Sequence, residues 1–166
     1  FYKTIFVSSS YTHDGLSNKP PRKEIYNLYK KLVLRAKLLC DKKKVYPKKI
    51  YISRRTWIHN DLSNIGTNYT TRRKMMNEDN LVSLLTNNSF KEIFTENLST
   101  IEKILIFNNA EFITGAIGGG IANSLFCNPN TKLITIISPY FLEINTRFKY
   151  SFAHMKYILF TDTQLF

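Results

Sequence analysis

Apolar side chains recur at helical spacing early in the chain. From Glu24 to about Cys40, apolar residues return every three or four positions, which predicts an amphipathic helix. A weakly alternating run over residues 1–8 predicts a strand before that helix. Residues 41–49 are rich in lysine and contain a proline, and we interpret them as a linker to the rest of the chain.

After this linker, short strand-like runs alternate with helical patterns. Helices are predicted to start at Asn77, which can act as an N-cap, and at Ser99, which forms a capping-box pattern with Glu102. Strands alternating with helices at this spacing predict an α/β fold, a parallel sheet with helices on both faces. The predicted strands are 50–53, 91–94, 111–114 and 132–137, with YILF near the end as a fifth.

Charge is the feature of composition that changes this picture. Lysine and arginine outnumber aspartate and glutamate by 24 to 12, giving a net charge of +12 in 166 residues. Such a balance favours anionic partners: nucleic acid, acidic lipid, or the diphosphate of a nucleotide. Two cysteines, Cys40 and Cys127, indicate neither a disulfide framework nor a zinc site. The three histidines lack ligand spacing, so no metal site is predicted.

Four of the six glycines lie within six positions, in the segment ITGAIGGGIAN. A loop without Cβ atoms after a strand lets a phosphate or sugar approach the backbone. A helix predicted to start at Ile121 would add N–H groups. The spacing is neither that of a dinucleotide fingerprint nor that of a P-loop, and a tight turn explains the glycines equally well. The four glycines are Gly115, Gly118, Gly119 and Gly120.

Two pairs of arginines are predicted at the same edge of the sheet as these glycines. Arg54 and Arg55 end the first strand after the linker, and Arg72 and Arg73 precede a helix start. The carboxyl ends of parallel strands share one edge, so these side chains can converge there. A guanidinium group can bind a diphosphate through two parallel hydrogen bonds. The alternative is that each arginine pairs with a surface carboxylate.

The order of these segments resembles glycosyltransferase family 61. That family shares a strand ending in Arg, an Arg-x-x-x-Asn-Glu segment, an E-x-LS-x-x-E approach to a helix and a G-x-H-G-A-G-L-x-N loop. The resemblance covers about residues 48–140. Ile117 stands where the family has His, and the connection between Arg55 and Arg73 is longer than usual. The matching segments are KIYISRR, RRKMMNEDNL and FTENLSTIEKILIFNNAEFITGAIGGGIANSLFCNP.

The resemblance implies a Rossmann-like lobe of a GT-B fold, the C-terminal lobe that binds the nucleotide sugar in an inverting transferase. It implies a nucleotide-diphosphate sugar as donor, UDP-linked, a hydroxyl acceptor on glycan or protein, and no metal ion or other cofactor. No catalytic base is assigned, and Asn77 and Glu78 would orient the loop or contact the nucleotide. The residues expected to bind the donor or its diphosphate are Arg54, Arg73, Asn77, Glu78, Gly115, Gly118, Gly119, Gly120 and Asn123.

On this interpretation the chain divides into two parts. Residues 1–47 form a strand and an amphipathic helix that pack on, or link to, the donor-binding lobe at residues 48–166. Because the sequence opens on Phe1 within a strand-like run, we expect it to be a piece of a longer protein, with an upstream acceptor lobe missing. No apolar run reaches the roughly 18 residues of a membrane helix, and the sequence indicates no compartment.

Two other functions fit parts of the sequence. The net charge fits a basic, non-catalytic module that binds nucleic acid or an anionic polymer. Against nucleic acid, the aromatic residues sit mostly in apolar strand and helix positions, not interleaved with Lys and Arg as a stacking platform requires. Ile117 in the glycine loop fits a degenerate transferase lobe that is kept as a scaffold.

Overall fold

The computed structural model describes residues 20–21, 23–40, 43–55, 75, 77–139 and 148–161. These residues form five strands and four helices, with 3-10 turns at Thr95–Asn97 and Asn123–Phe126 and a further helical turn at 148–151. The helices are α1 Lys23–Leu39, α2 Glu78–Asn87, α3 Thr100–Asn109 and the single turn α4 Gly119–Ala122. The strands are β1 Lys49–Ile52, β2 Lys91–Ile93, β3 Phe112–Ala116, β4 Lys132–Ile137 and β5 Lys156–Thr161.

All five strands pair in parallel, in the order β2-β1-β3-β4-β5. Successive side chains of a strand point to opposite faces, and β1 shows what covers each face. Ile50 and Ile52 pack in the main core with Phe107 of α3, whereas the hydroxyl of Tyr51 reaches Glu78 at the start of α2. Helices therefore lie on both faces, and the predicted α/β, Rossmann-like fold is confirmed.

Helix α3 joins the sheet to the N-terminal helix. Its start is the predicted capping box: the Ser99 hydroxyl accepts a hydrogen bond from the Glu102 amide, and the Glu102 carboxylate accepts one from the Ser99 amide. One side of α3 packs into the main core, and another forms a second cluster with α1. That second cluster contains Val33, Ala36, Ile104 and Leu105.

The end of the lysine-rich linker is bound to α3 and β3. The Lys44 ammonium lies 2.6 Å from a Glu102 carboxylate oxygen, and Lys48 pairs with Glu111. The Asn109 side chain donates to the carbonyl of Tyr46 at 2.7 Å. The bonds from Lys44 and from Ser99 lower the pKa of Glu102 to about 2. Their contribution to stability is therefore present at neutral pH and is lost as the pH falls from about 4.5 towards 2.

Two details of the predicted layout change. The helix expected to begin at Ile121 begins at Gly119 and lasts one turn, so that prediction of its start is wrong. The predicted strand over residues 1–8 and the long connection between Arg55 and Arg73 lie outside the described residues. Across the described ranges, no helix is long and apolar enough to cross a membrane.

The capping box gives a direct test of how α3 is fixed. We expect Ser99→Ala to lower the free energy of unfolding by about 1 kcal/mol, because the Glu102 amide loses its acceptor. Urea denaturation measures the change. Ser83→Ala is the matched control, since the exposed Ser83 hydroxyl only donates to the Asp79 carbonyl within α2. An equal loss in both variants would contradict a specific capping role.

Candidate functional site

The carboxyl ends of the central strands bring Arg54 against the glycine loop. Arg54 follows β1, and Gly118 follows the neighbouring strand β3. A Cβ placed on Gly118 would lie 2.6 Å from Nη2 of Arg54 and 3.3 Å from its Cζ. The guanidinium group therefore lies directly against a bare stretch of backbone, at the edge where doubly wound sheets bind ligands.

Three of the four clustered glycines are explained by packing. A Cβ on Gly115, within β3, would lie 2.7 Å from the carbonyl oxygen of Ile52, and one on Gly120 would lie 2.7 Å from that residue's Cγ2. At Gly118, the Arg54 guanidinium fills the space that a Cβ would need. Gly118 also has a φ of +156°, which residues with side chains rarely adopt. Gly119 differs, because a Cβ there would meet nothing within 4 Å. The loop is therefore open at position 119.

Glu78 does not face the ligand edge with a free carboxylate. Its side chain is buried, with the residue 5% exposed. One carboxylate oxygen, Oε1, accepts hydrogen bonds from the Tyr51 hydroxyl at 2.8 Å, the Ser53 hydroxyl at 3.0 Å and the Arg54 amide at 3.1 Å. Burial, and then the charge and hydrogen bond of Glu78, raise the pKa of Tyr51, so that hydroxyl stays protonated as a donor.

Arg55 pairs with carboxylates of the protein, which was the alternative to ligand binding considered for the arginines. Its Nε and Nη2 bond the two oxygens of Glu92 at 2.9 and 2.6 Å, and its Nη1 bonds Asp79 at 2.7 Å. Burial alone would raise the pKa of Glu92, but hydrogen bonds from Arg55 and Ser53 and the charge of Arg55 outweigh it, and the pKa is lowered. This carboxylate is therefore ionised at neutral pH and holds Arg55 away from a ligand role.

The other predicted site residues fall in different places. Asn77 is exposed at the N-cap position of α2, but its side chain makes no capping hydrogen bond. Asn123 donates from its side chain to the Gly120 carbonyl at 2.9 Å, which closes the glycine turn. Ile117 is buried, and its amide bonds the carbonyl of Ile136 in β4. Arg73 lies outside the described residues.

Two hydroxyl residues at this edge were not predicted. Ser53 is buried directly after β1, and Thr95 follows β2 with its Oγ1 3.3 Å from the position of a Gly120 Cβ. The signal that could have found them is the one that found Arg54: each is polar and stands at or just beyond the carboxyl end of a predicted strand. Among the described residues, no group of His, Cys, Asp and Glu could hold a metal ion.

A second concavity lies at the other edge of the sheet. Its volume is about 500 Å³, and it lies near the starts of β1, β3 and β4. Three polar side chains of its lining bond backbone carbonyls of the protein: Asn108 donates to Phe126, Asn128 donates to Asn108, and Thr131 donates to Ala110. Because it lies at the starts of the strands, whereas Arg54 follows the end of β1, this concavity is separate from the site around Arg54.

The sequence was compared with known proteins. The sequence model of the family described as Glycosyltransferase 61 matches residues 2–134, which is well over half of the chain. The match covers the elements from α1 to α4, the whole glycine loop and the first residues of β4. A search of curated proteins finds no match.

The glycines at positions 115 and 119 are predicted to differ sharply in tolerance. Gly115→Ala should destabilise the fold by roughly 1–3 kcal/mol, since its Cβ would be 2.7 Å from the backbone oxygen of Ile52. Gly119→Ala is the control and should be neutral or stabilising by up to about 1 kcal/mol, since it adds a Cβ to a helical turn in open space. Urea denaturation compares them. Equal destabilisation in the two variants would contradict the role of packing against Ile52.

Proposed function

Because the chain belongs to glycosyltransferase family 61, we propose that it is the donor-binding lobe of an inverting transferase. The donor is a nucleotide-diphosphate sugar, UDP-linked, and the acceptor is a hydroxyl group on a glycan or protein. An upstream lobe of the same protein supplies the acceptor side, giving a GT-B enzyme that acts in glycan biosynthesis. This proposal goes beyond the family assignment in donor, stereochemistry and lobe.

The observation that carries the proposal is the contact between Arg54 and Gly118. It sets a permanent positive charge beside bare backbone, and the neighbouring Gly119 leaves room for a ligand. Arginine matches the oxygens of a diphosphate with two parallel hydrogen bonds. Each charge-assisted bond of this kind contributes about 1.5–3 kcal/mol. Arg54 is thus placed to bind the diphosphate.

The chemistry that this arrangement supports is departure of the nucleoside diphosphate. In an inverting transfer, the acceptor oxygen forms a bond to the anomeric carbon opposite the leaving group. The bond from that carbon to the diphosphate oxygen breaks, and the diphosphate keeps the electron pair. A guanidinium group fixed at the developing charge stabilises the transition state. This charge takes the role that a divalent cation has in other transferases, so we propose that no metal ion is required.

The remaining predicted residues take different roles in this proposal. Gly119 offers close approach to the backbone, Gly120 packs the loop against Ile52, and the exposed Asn77 side chain can contact the nucleotide. Gly115 and Asn123 shape the loop through Ile52 and the Gly120 carbonyl. By the resemblance, Arg73 adds a second positive charge.

The acceptor proton needs a base, and three described carboxylates near Arg54 are already engaged within the protein. Glu78 and Glu92 are committed to hydrogen bonds within the protein, and Asp79 pairs with Arg55. We therefore place the base in the upstream lobe or on a carboxylate across the cleft. It follows that this piece by itself binds the donor without turning it over.

Replacing Arg54 tests the site. We expect Arg54→Ala to weaken UDP binding by about 2 kcal/mol, roughly thirtyfold, because the charge-assisted interaction with the diphosphate is lost. Arg54→Lys should fail nearly as badly, since an ammonium group cannot reproduce the planar fork. Isothermal titration calorimetry with UDP, with and without EDTA, measures both variants and the need for a metal ion.

Arg35→Ala is the matched control for charge. Arg35 is exposed on α1, so this variant removes the same charge without touching the glycine loop. It should leave UDP affinity unchanged at physiological salt, where screening acts over about 8 Å. A loss equal to that of Arg54→Ala would mean that net charge alone binds UDP. Tighter binding of random oligonucleotide than of UDP, with a steep salt dependence, would instead favour the nucleic-acid module.

A further inference from the structure

We propose that Glu78 is a positioning residue, which fixes the backbone of Arg54 so that the guanidinium lies over Gly118, and that it does not itself contact the donor. The inference rests on the proposed function in one respect, namely that Arg54 binds the donor diphosphate. Its structural part stands on the contacts between Glu78, Arg54 and the glycine loop.

The backbone N–H groups of this segment donate to a neighbouring strand only as far as Ser53, the residue before Arg54. The Ser53 amide still donates to a strand carbonyl, that of Ile93, at 3.0 Å. The next amide, that of Arg54, donates instead to Oε1 of Glu78 at 3.1 Å. The carboxylate thus replaces the neighbouring strand as acceptor at the point where the chain leaves the sheet. This bond fixes the backbone at the residue that carries the guanidinium group.

Two neighbouring hydroxyl groups hold the Glu78 carboxylate in one position. The hydroxyls of Tyr51 and Ser53 donate to the same oxygen, at 2.8 and 3.0 Å, and the side chain is buried. A buried, hydrogen-bonded carboxylate cannot move to follow a ligand without losing these bonds. Glu78 is therefore better suited to hold Arg54 than to bind sugar or nucleotide.

The other end of the turn is held by further hydrogen bonds. The Arg55 amide donates to the Ser53 hydroxyl at 3.2 Å, and the Arg55 side chain is bound by Glu92 and Asp79. Glu78 accepts a hydrogen bond from the Arg54 amide, and the next residue, Arg55, is bonded through both its amide and its side chain. The turn 53–55 therefore has little conformational freedom. The guanidinium group of Arg54 consequently has a defined direction, towards Gly118.

The charge of Glu78 and the length of its side chain should change UDP affinity in opposite directions, which makes the inference testable. A carboxylate near a diphosphate site repels the ligand, so loss of its charge alone should strengthen binding. A shorter side chain at position 78 should weaken binding, because its carboxylate no longer accepts the hydrogen bond from the Arg54 amide. Glu78→Gln removes the charge and keeps the reach and an acceptor oxygen. Glu78→Asp keeps the charge and withdraws the acceptor by about 1.5 Å.

The experiment is calorimetric titration of UDP into wild type and both variants. We expect Glu78→Asp to weaken UDP binding about tenfold, and Glu78→Gln to remain closer to wild type than Glu78→Asp. Glu111→Gln is the control for charge, since Glu111 is a partly exposed carboxylate at the opposite edge of the sheet, and it should bind UDP as wild type does. Tighter binding by Glu78→Gln with unchanged binding by Glu78→Asp would overturn the inference.

A readout without ligand separates this inference from the proposed function. In ¹⁵N-labelled protein, the Nε–Hε signal of Arg54 should shift and broaden in Glu78→Asp but not in Glu111→Gln. If wild type fails to bind UDP while this signal still changes, the proposed function fails and the positioning role stands. If wild type binds UDP and neither the affinity nor the signal changes in Glu78→Asp, the positioning role is wrong.

A second variant covers the case in which Glu78→Asp does not fold. Ser53→Ala leaves every charge in place but removes the hydroxyl that joins the Arg55 amide to Glu78. We expect it to weaken UDP binding severalfold and to shift the Arg54 signal. Unchanged affinity and an unchanged signal in folded Ser53→Ala would contradict the inference.

Discussion

The close approach of β1 and β3 at Ile52 determines the geometry of the site. The carbonyl oxygen of Ile52 occupies the space that a Cβ on Gly115 would need, and its Cγ2 occupies the corresponding space at Gly120. One residue of β1 therefore fixes both ends of the glycine segment. Since Arg54 lies two residues after Ile52, just beyond the end of β1, the contact that sets the loop also brings the guanidinium group to it.

Adjacent residues at the end of β1 have separate physical tasks. Arg54 lies over the glycine loop, whereas Arg55 is bound by Glu92 of β2 and Asp79 of α2. The same division holds at the start of α2, where Asn77 is exposed and Glu78 is buried. Neighbouring side chains point in different directions, so a pair of identical residues in a sequence need not form one site.

Much of the fold could be predicted because its signals are local. The capping box at Ser99 depends on residues three positions apart, and the alternation of strands and helices gives parallel pairing by a general rule. The start of α4 could not be predicted in this way. Helix propensity disfavours glycine, yet the turn begins at Gly119, in the segment that packing against Ile52 holds in place.

The meeting of Arg54 with the glycine loop was predictable, but the bonding of the neighbouring side chains was not. That Arg54 and the glycines share an edge follows from the rule for parallel strands. The partners of Arg55 and Glu78 lie 24 to 37 residues away along the chain, so no local pattern reveals that their side chains are occupied within the protein. The family resemblance marked Glu78 as a donor-site residue without saying whether it acts by contact or by support.

Position 119 has an evolutionary consequence. The surrounding glycines are constrained by Ile52 and Arg54, so drift there is costly, whereas a side chain at 119 extends into open space. The family loop in the resemblance carries Ala at this position, which shows that a methyl group is compatible with such a loop. Selection can therefore vary the shape of the site at 119 while the sheet, the arginine and its supports stay unchanged. A larger side chain at 119 would thus change the surface beside Arg54 at little cost to the fold.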